Sequence, residues 1–458
     1  MPVSFLDILE RAATGEAIKK ESWDFDHVMM PVRTLVEERK LEKGSKDEVV
    51  CTDDALIDTI FEAGFELALK SGAYCISTGR NIKFTKDELL EGLARAPRTL
   101  SMGEGKDERV LFARNPEDSR SPIVWAGNPG VPTPEDIFQP MVMSWMQEPV
   151  VDLVTCGSLV TIDGFPVETG SPQEILATRR ELRLMREGLM RVGRPGMGML
   201  AAQTAVSELG DVAAANPAHL RPCDSHLVAL FNEMIIDQNN LSRAANSLEY
   251  GMRNASLATV MVGGLAGDSC GAAVVQVASF ILANHVCRAD YHLLHPIHIQ
   301  YVATSHPSVM WVQNAVPRAF ARNSPCIIVA DIYPKSGAGT VELLYETAAN
   351  AVAITIGGGH LEGVGAADGA APNGSGLEAR LMGEVGKAVA RSGMDSVQAA
   401  HLISALYSKS EQVFTMKGGN PGKRFDQVYD LKRLKPKPEW ESLYQTVKTE
   451  LVSLGLTL

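Results

Sequence analysis

The stretch TVMVGGLAGDSCGAAVVQVASFILANHVCRADYHLLHPIHIQYV, residues 259–302, decides the fold of this chain. It runs through a short apolar segment, a glycine-rich corner, a long helical pattern and a second short apolar segment. Crossover helices join parallel strands in this order. We therefore predict strands at Thr259–Gly263 and Ile297–Val302, with a helix at Gly271–Tyr291 between them.

The same alternation extends outward from this stretch and begins near Pro122. Further strands are predicted at Ile123–Ala126, Val151–Cys156, Arg194–Met199, Arg221–Ser225, Cys326–Asp331 and Val352–Ile356. Further helices are predicted at Pro134–Met146, Pro172–Val192, His226–Leu248, Pro307–Arg322, Thr340–Asn350 and Gly376–Arg391. Eight strands that alternate with helices favour an α/β fold of the (β/α)8 TIM-barrel type, although the pattern alone also allows an open doubly wound sheet.

The regions before and after the predicted barrel differ from it in composition and in predicted secondary structure. Residues 1–120 read as a helical N-terminal cap or oligomerisation layer, residues 121–418 as the barrel, and residues 419–458 as a C-terminal extension that packs on the barrel. The extension is rich in lysine and proline, and it is predicted to end in a helix near Glu439–Leu454.

Charge and cysteine usage exclude several function classes. The formal net charge is -12 and the pI is near 5.4, which argues against a nucleic-acid-binding surface because such surfaces are basic. We expect no membrane partner, since no apolar run reads as long enough to span a bilayer. The seven cysteines are scattered without a Cys-x-x-Cys pair, which predicts reduced thiols and a cytoplasmic location.

The active site of a barrel lies where its strands end. The predicted strand ends are rich in glycine and poor in titratable groups, which suits a large planar ligand or the cofactor of a partner protein. Gly198, Gly264 and Gly267 are the candidates for contacting such a cofactor. Asp224-Ser225-His226 has two interpretations: a histidine that acts as acid, base or orienter beside a carboxylate, or a helix N-terminal cap.

Other motifs carry weaker signals. His292, His295 and His298 have a spacing that suggests zinc, but strand alternation places residues three apart on opposite faces, so core and loop histidines are favoured and no metal is predicted. The loop Gly263–Gly271 could cradle a phosphate, but it lacks the Lys-Ser/Thr of a P-loop. Aromatic side chains that could form a cation-binding wall or simply pack in the core are Trp145, Trp311 and Tyr333.

Several stretches spread along the chain carry a family resemblance: FEAGFELALKSGAYC at 61–75, KFTKDEL at 83–89, RPGMG at 194–198, DSH at 224–226, PIHI at 296–299, GLEARLMGEV at 376–385, VYDLK at 428–432 and LGL at 454–456. In these the chain resembles the pyrrolysine-containing monomethylamine methyltransferases. The resemblance implies a TIM barrel, a symmetric homo-oligomer, and transfer of a methyl group from an amine to Co(I) of a corrinoid that a separate partner protein carries.

The chain departs from this family at the positions that the resemblance assigns to the amine. Leu200 stands two residues after RPGMG, where the family carries pyrrolysine. Leu227 and Leu257 replace two glutamates, and Asp331 replaces the glutamine of a glutamine-x-tyrosine pair whose tyrosine, Tyr333, remains. Because carboxylates without the cationic imine would be buried and unpaired, the joint change predicts an apolar pocket without pyrrolysine.

These departures predict methyl transfer from a different donor. A quaternary ammonium ion, or another N-methyl compound with a good leaving group, needs no covalent capture; monomethylamine does. In this hypothesis Asp331 supplies the negative charge, Tyr333 contacts the cation, His226 orients the substrate, and Leu200, Leu227, Leu257 and Asp224 line its site. Two alternatives stay open: a non-catalytic relative that binds the corrinoid protein or senses a metabolite, and a barrel lyase or isomerase with a phosphate site.

Overall fold

The chain folds as a closed parallel barrel. The computed structural model describes residues 3–45, 47–201, 203–215, 218–365, 367 and 371–458. The eight barrel strands are β6 (Val124–Ala126), β8 (Leu153–Val154), β12 (Leu200–Ala201), β13 (Ser225–Leu230), β15 (Arg253–Val262), β16 (Tyr291–His298), β17 (Ile328–Ile332) and β18 (His360–Gly363). Each strand pairs in parallel with the next, and β18 pairs with β6. A parallel bridge from Val154 to Met199 closes the ring, which confirms the predicted TIM barrel.

Helices surround the ring. They are α6 (Glu135–Met146), α7 (Pro172–Arg191), α8 (Glu208–Ala214), α9 (Gln238–Glu249), α10 (Ser269–Val286), α11 (Pro307–Asn323), α12 (Val341–Gly357) and α13 (Gly376–Ser392). Short strands decorate the loops: β7 (Pro132–Thr133), β9 (Ser158–Leu159), β10 (Thr161–Ile162), β11 (Phe165–Pro166) and β14 (Ile235–Ile236). Side chains on the two faces of the barrel strands form separate cores, one inside the barrel and one between strands and helices.

Four strand predictions are wrong in position, and one of them, at 194–199, ends just before β12 begins at Leu200. Residues 352–356 lie inside α12, because this β-branched run is buried on every side of a helix, and the eighth strand is β18 instead. The strand predicted at 221–225 begins only at Ser225, so the first residues of the predicted helix 226–248 form β13. The strand predicted at 297–302 is β16, which starts at Tyr291.

Helix α10 is long and apolar enough to cross a bilayer, contrary to the expectation from the sequence. All of its residues are buried, because it packs between the N-terminal layer, β15 and α11. The helix is therefore a core element of the fold.

The N-terminal layer covers one side and one end of the barrel. Its helices are α1 (Phe5–Thr14), α2 (Lys20–Ser22), α3 (Met30–Glu38), α4 (Asp54–Ser71) and α5 (Lys86–Arg95), with a π-helical turn at Trp23–Met29. Its strands are β1 (Glu16–Ala17), β2 (Ala73–Cys75), β3 (Arg80–Ile82), β4 (Thr99–Met102) and β5 (Arg109–Phe112).

The β4–β5 hairpin closes the amino end of the barrel. Leu100, Met102 and Leu111 pack into the core inside the ring. The Gly103 N–H donates to the Cys223 carbonyl over 2.9 Å, which fixes the hairpin just below the start of β13. The interior can therefore be reached only from the carboxyl end, as far as the described residues show.

The C-terminal region packs against the last barrel helices. It contains α14 (Ser396–Tyr407), a 3-10 turn (Glu411–Phe414), α15 (Phe425–Val428), β19 (Tyr429–Asp430), β20 (Lys435–Pro436) and α16 (Pro438–Ser453). Helix α14 packs on α12, and α16 packs on α12 and α13. One continuous apolar core runs from Val3 to Leu456.

Two buried histidines make the fold sensitive to acid. Burial lowers the pKa of His292 and of His360 to about 3, well below the value near 6.5 in an unfolded chain. Their stabilisation is therefore present above pH 6.5 and lost as the pH falls. At pH 5 each should lower the free energy of unfolding by about 2 kcal/mol.

Urea unfolding at pH 8 and pH 5 checks this prediction. The loss of stability between the two pH values should be smaller by about 2 kcal/mol in His292→Leu than in the unaltered chain. The exposed His401 offers a matched control, since His401→Leu should leave the loss unchanged. An equal loss in all three proteins would contradict the assignment.

Candidate active site at the carboxyl end of the barrel

A cavity of about 110 Å³ lies inside the barrel toward the carboxyl ends of its strands. Gly130 on its rim is exposed, so the cavity opens to the surface there. At about 30 Å³ per water, the volume corresponds to between three and four waters. The lining residues are Pro129, Gly130, Leu200, Gln203, Leu227, Leu257, Leu293, His295, Asp331, Tyr333 and Glu362.

One side of the cavity is apolar. Leu200, Leu227, Leu257 and Leu293 come from the neighbouring strands β12, β13, β15 and β16, and we call them the leucine wall. Alternation along each strand turns these residues inward, where they pack on the core inside the barrel. Beneath them lies the fully buried indole of Trp125, which stacks on Tyr291 with ring centroids 5.5 Å apart.

The opposite side is polar. Asp331, Glu362 and His295, which we call the carboxyl wall, come from β17, β18 and β16. Asp331 and Glu362 lie directly opposite each other in the strand pairing. His295 Nδ1 lies 2.8 Å from Asp331 Oδ2. The site therefore contains two carboxyl groups and an imidazole within a small enclosed space.

The two carboxyl groups of this wall carry less charge than their number suggests. Glu362 is fully buried, and burial together with the neighbouring Asp331 charge raises its pKa well above the usual range. A carboxyl group in this position stays protonated at neutral pH. The pair then carries one negative charge and one transferable proton.

Tyr333 closes the cavity between the two walls. Its hydroxyl donates to the Pro129 carbonyl, and its ring meets the His295 ring edge-on with centroids 4.8 Å apart. Burial raises the pKa of this phenol, so it stays neutral. A Cβ at Gly365 would lie 2.7 Å from the tyrosine ring, so a glycine is needed beneath it.

Two buried glutamates hold the loop that follows Leu200. Glu181 accepts the N–H groups of Gln203 and Thr204, and Glu174 accepts that of Ser207. Gln203 lines the cavity, so this scaffold outside the barrel fixes part of its rim. Neither glutamate was assigned to the site from the sequence, although both occur on the polar, helical stretch predicted at 172–192.

Comparison with known proteins relates this geometry to a family. Residues 3–456 match the profile of the family described as monomethylamine methyltransferase MtmB. The chain belongs to the MtmB family. It is 30% identical to monomethylamine methyltransferase MtmB2 of Methanosarcina acetivorans over 458 residues, which cover 98% of this chain and 97% of the relative. MtmB1 of Methanosarcina barkeri is also 30% identical, over 452 residues.

Solved MtmB structures have the same fold as this chain. The crystal structure of the M. barkeri monomethylamine methyltransferase superposes with a TM-score of 0.95 at 29% identity, covering 99% of this chain and 98% of that one. A hydroxylamine complex of MtmB gives the same TM-score. This member of the MtmB family is therefore a methyltransferase with a TIM-barrel fold.

The cavity brings together five of the residues that the family resemblance singled out in the sequence. Leu200, Leu227, Leu257, Asp331 and Tyr333 all line it, although they lie on four strands and one loop. The predicted scarcity of titratable groups is wrong, because His295 and Glu362 also face the interior. The pocket of this MtmB member is thus apolar on one side only.

The role expected for the Asp224-Ser225-His226 corner does not agree with the structure. The corner starts β13 at the amino end of the barrel, away from the cavity. Asp224 pairs with Arg221 and Arg186, and His226 Nδ1 lies 2.7 Å from Asp211 Oδ1 outside the ring. Burial lowers the pKa of His226. These side chains stabilise the base of the barrel and cannot orient a substrate in the cavity.

The glycines expected to contact a cofactor also lie elsewhere. Gly198 precedes β12, where a Cβ would come within 2.7 Å of Leu153, so it serves close packing. Gly264 and Gly267 follow β15 at the carboxyl end, but they face α3 across a separate groove. A phosphate on this loop is also disfavoured, because the Asp268 carboxylate already accepts the N–H groups of Cys270 and Gly271.

The three spaced histidines diverge, as strand alternation predicts. His292 stacks on Phe280 in the outer core, and His298 lies at the rim against Tyr301, while His295 faces the cavity. No cluster of three metal-binding side chains occurs among the residues that the structure describes. Trp145 and Trp311 are buried in α6 and α11, so of the proposed aromatic wall Tyr333 alone reaches the cavity.

Proposed function

We propose that this chain transfers a methyl group from a small methylated ammonium ion other than monomethylamine to Co(I) of a corrinoid carried by a separate protein. We further propose that it does so without pyrrolysine, since Leu200 occupies that position. The observation that carries the proposal is the cavity, in which the leucine wall faces a carboxyl pair of single negative charge.

The leaving group explains why covalent capture can be absent. A quaternary ammonium or a protonated amine leaves as a neutral amine when its methyl group is attacked. Protonated monomethylamine meets this condition too, but its single methyl group cannot both face the cobalt and contact the leucine wall. The chain then needs to bind and orient the cation and to exclude water. The leucine wall supports methyl groups, and the Asp331 carboxylate supports the positive charge.

The cavity is large enough for the methyl donor but too small for the corrinoid that accepts the methyl group. About 110 Å³ accommodates a cation of a few non-hydrogen atoms, whereas a corrinoid ring must stay outside, above the mouth. Corrinoid supplies the nucleophilic cobalt when its carrier protein is docked. Loops at the carboxyl end carry exposed apolar side chains that suit such a partner: Val160, Val206, Leu209, Ile299 and Val302.

Residue roles follow from the contacts. Asp331 pairs with the cation, Leu200, Leu227 and Leu257 contact its methyl groups, and Tyr333 closes the cavity. His295, in place of His226, orients Asp331 through the 2.8 Å contact. The buried acid pair favours catalysis over a non-catalytic binding role, because perturbed carboxyl groups concentrate at reactive sites.

The setting of the reaction is also a proposal. All seven cysteines are free and mostly buried, which supports a reducing cytoplasm. As the family resemblance implies, we also propose that the chain forms a homo-oligomer. Its proposed partners are small molecules and a corrinoid protein, and they do not include nucleic acid or a membrane.

A transfer assay tests the function. The purified chain is mixed with a corrinoid protein reduced to Co(I), and formation of methyl-corrinoid is followed by absorbance with each of a set of methylated amines. We expect turnover with tri- or tetramethylammonium and none with monomethylamine. Turnover with monomethylamine alone would refute the proposed donor class, and a corrinoid protein incubated without the chain controls for direct transfer.

A further inference from the structure

The carboxyl wall has more buried hydrogen-bond acceptors than its own proton can satisfy. Asp331 Oδ1 and both oxygens of Glu362 are buried and receive no hydrogen bond from another described residue, while Glu362 and Asp331 share one proton between them. At least one oxygen of Glu362 therefore lacks a donor. Asp331 is 3% exposed and Glu362 is fully buried, so bulk water does not reach them freely. Leaving such a buried acceptor without a donor is unfavourable, because it has lost its hydrogen bonds to water. The remaining donors must come from what occupies the cavity, either water or a ligand that displaces it.

The other lining groups do not supply those donors. The leucine wall has none, and the Tyr333 hydroxyl already donates to the Pro129 carbonyl. The amide of Gln203 is directed toward Thr155, at 3.5 Å. His295 Nδ1 faces Asp331 Oδ2, the carboxylate oxygen that is not free. The unmet acceptors therefore point to a feature of the ligand.

We propose that Glu362, together with Asp331, determines specificity for a methyl donor that keeps at least one N–H. This inference rests on the proposed function and narrows its donor class from methylated ammonium ions in general to protonated tertiary or secondary amines. The N–H donates to the carboxyl wall while the methyl groups contact the leucine wall. A quaternary ammonium, the donor expected from the sequence, has no hydrogen to offer.

The same hydrogen bond keeps the donor nitrogen protonated, so that it can leave as a neutral amine. During transfer the C–N bond breaks with its electron pair going to nitrogen, the methyl carbon bonds to the acceptor, and the nitrogen leaves as a neutral amine that retains its N–H. A donor that had first lost this proton would have to leave as an amide anion. Negative charge beside the N–H favours the protonated form of the donor.

The charged and titratable groups around Glu362 suit a ligand that carries a single positive charge. Asp331 faces it from β17, His295 lies on β16, and Trp125 lies opposite it on β6. Tyr291 below and Tyr333 above are neutral phenols whose pKa values burial raises. No lysine or arginine is among the side chains that line the cavity in the described part of the chain.

Two cations of equal charge and similar shape test this proposal. Trimethylammonium and tetramethylammonium differ by one N–H against one N–CH3. We expect calorimetric titration of the full chain at neutral pH to show trimethylammonium binding at least tenfold more tightly, because a site built around a hydrogen bond rejects the analogue that lacks the donor. Affinities between micromolar and millimolar are expected for such small ligands.

Variants at Glu362 assign the effect to this residue. Glu362→Met keeps similar bulk without an acceptor and should reduce the preference about tenfold, whereas Glu362→Gln retains a carbonyl oxygen and should largely preserve it. Glu378 is a matched control. It is fully buried at the N-terminus of α13, its pKa is raised to about 8 by burial, and Glu378→Gln should leave both affinities unchanged.

The outcomes separate this inference from the proposed function. Equal or tighter binding of tetramethylammonium overturns the inference and leaves the wider donor class intact. Failure of both cations to bind, with no methyl transfer from either, overturns the proposed function itself. If Glu362→Met does not fold, the ratio measured on the unaltered chain still decides.

Discussion

Replacing Asp331 with asparagine is expected to lower kcat/KM for the methyl donor by about 100-fold. The variant removes the negative charge of the carboxyl wall and keeps its shape. A cation about 5 Å from a carboxylate, at an effective dielectric constant near 20, gains roughly 3 kcal/mol, which corresponds to this factor. The loss should occur in binding of trimethylammonium as well as in transfer, because the charge acts on the cation before the methyl group moves.

A carboxylate at the other end of the barrel provides the control. Asp290 precedes β16 and accepts the Asn254 N–H over 2.8 Å, far from the cavity. Asp290→Asn should leave kcat/KM within threefold of the unaltered chain, while thermal unfolding monitors the stability of both variants. If Asp331→Asn binds and turns over the donor normally, the charge that receives the cation is not Asp331.

Substitution of Leu200 by tryptophan is expected to remove measurable binding of trimethylammonium and, with it, methyl transfer. Leu200 is 1% exposed and its side chain faces the cavity, whose volume is only about 110 Å³. An indole at this position would occupy the space that the donor needs. Since the space is already present, the cost to stability should lie toward the low end of the about 1–3 kcal/mol typical of overpacking.

The matched control is Leu176→Trp on the outer face of α7, where the leucine is 55% exposed. That variant should bind and react normally. Full activity of Leu200→Trp would mean that the donor does not occupy this cavity, and the role of the leucine wall would be wrong.

The barrel and the leucine wall could be predicted because they depend on patterns that survive divergence. Alternating strands and helices specify the topology, and the co-linear resemblance assigned Leu200, Leu227 and Leu257 to one pocket. Their lining of a single cavity shows that aligned positions on different strands carry spatial information. Asp331 and Tyr333 were placed by the same argument.

Two of the three residues of the carboxyl wall were missed, in both cases because a strand boundary was predicted wrongly. Glu362 belongs to a strand of four residues, whereas the β-branched run at 352–356 has the stronger strand pattern and is in fact helical. His295 was considered within a histidine motif, and the strand that carries it was predicted to begin at Ile297. An error of a few residues in a strand boundary moves a side chain out of or into the interior.

At the Asp224-Ser225-His226 corner, by contrast, the sequence assigned residues to the site that lie outside it. Polar residues next to an apolar run mark a strand end, but they do not say which end. Asp224 lies at the start of β13, and its salt bridges to Arg186 and Arg221 serve the base of the barrel. Local sequence gives no direction here, since capping groups and catalytic groups are the same residue types.

The β4–β5 hairpin has a kinetic consequence. With the amino end sealed by Leu100, Met102 and Leu111, the described part of the barrel opens only at its carboxyl end. If a corrinoid protein docks over that opening, as proposed, it encloses whatever the cavity holds. In that case the amine binds first, and its demethylated product stays bound until the corrinoid protein dissociates. The rate of turnover then depends on this fixed order of binding and release.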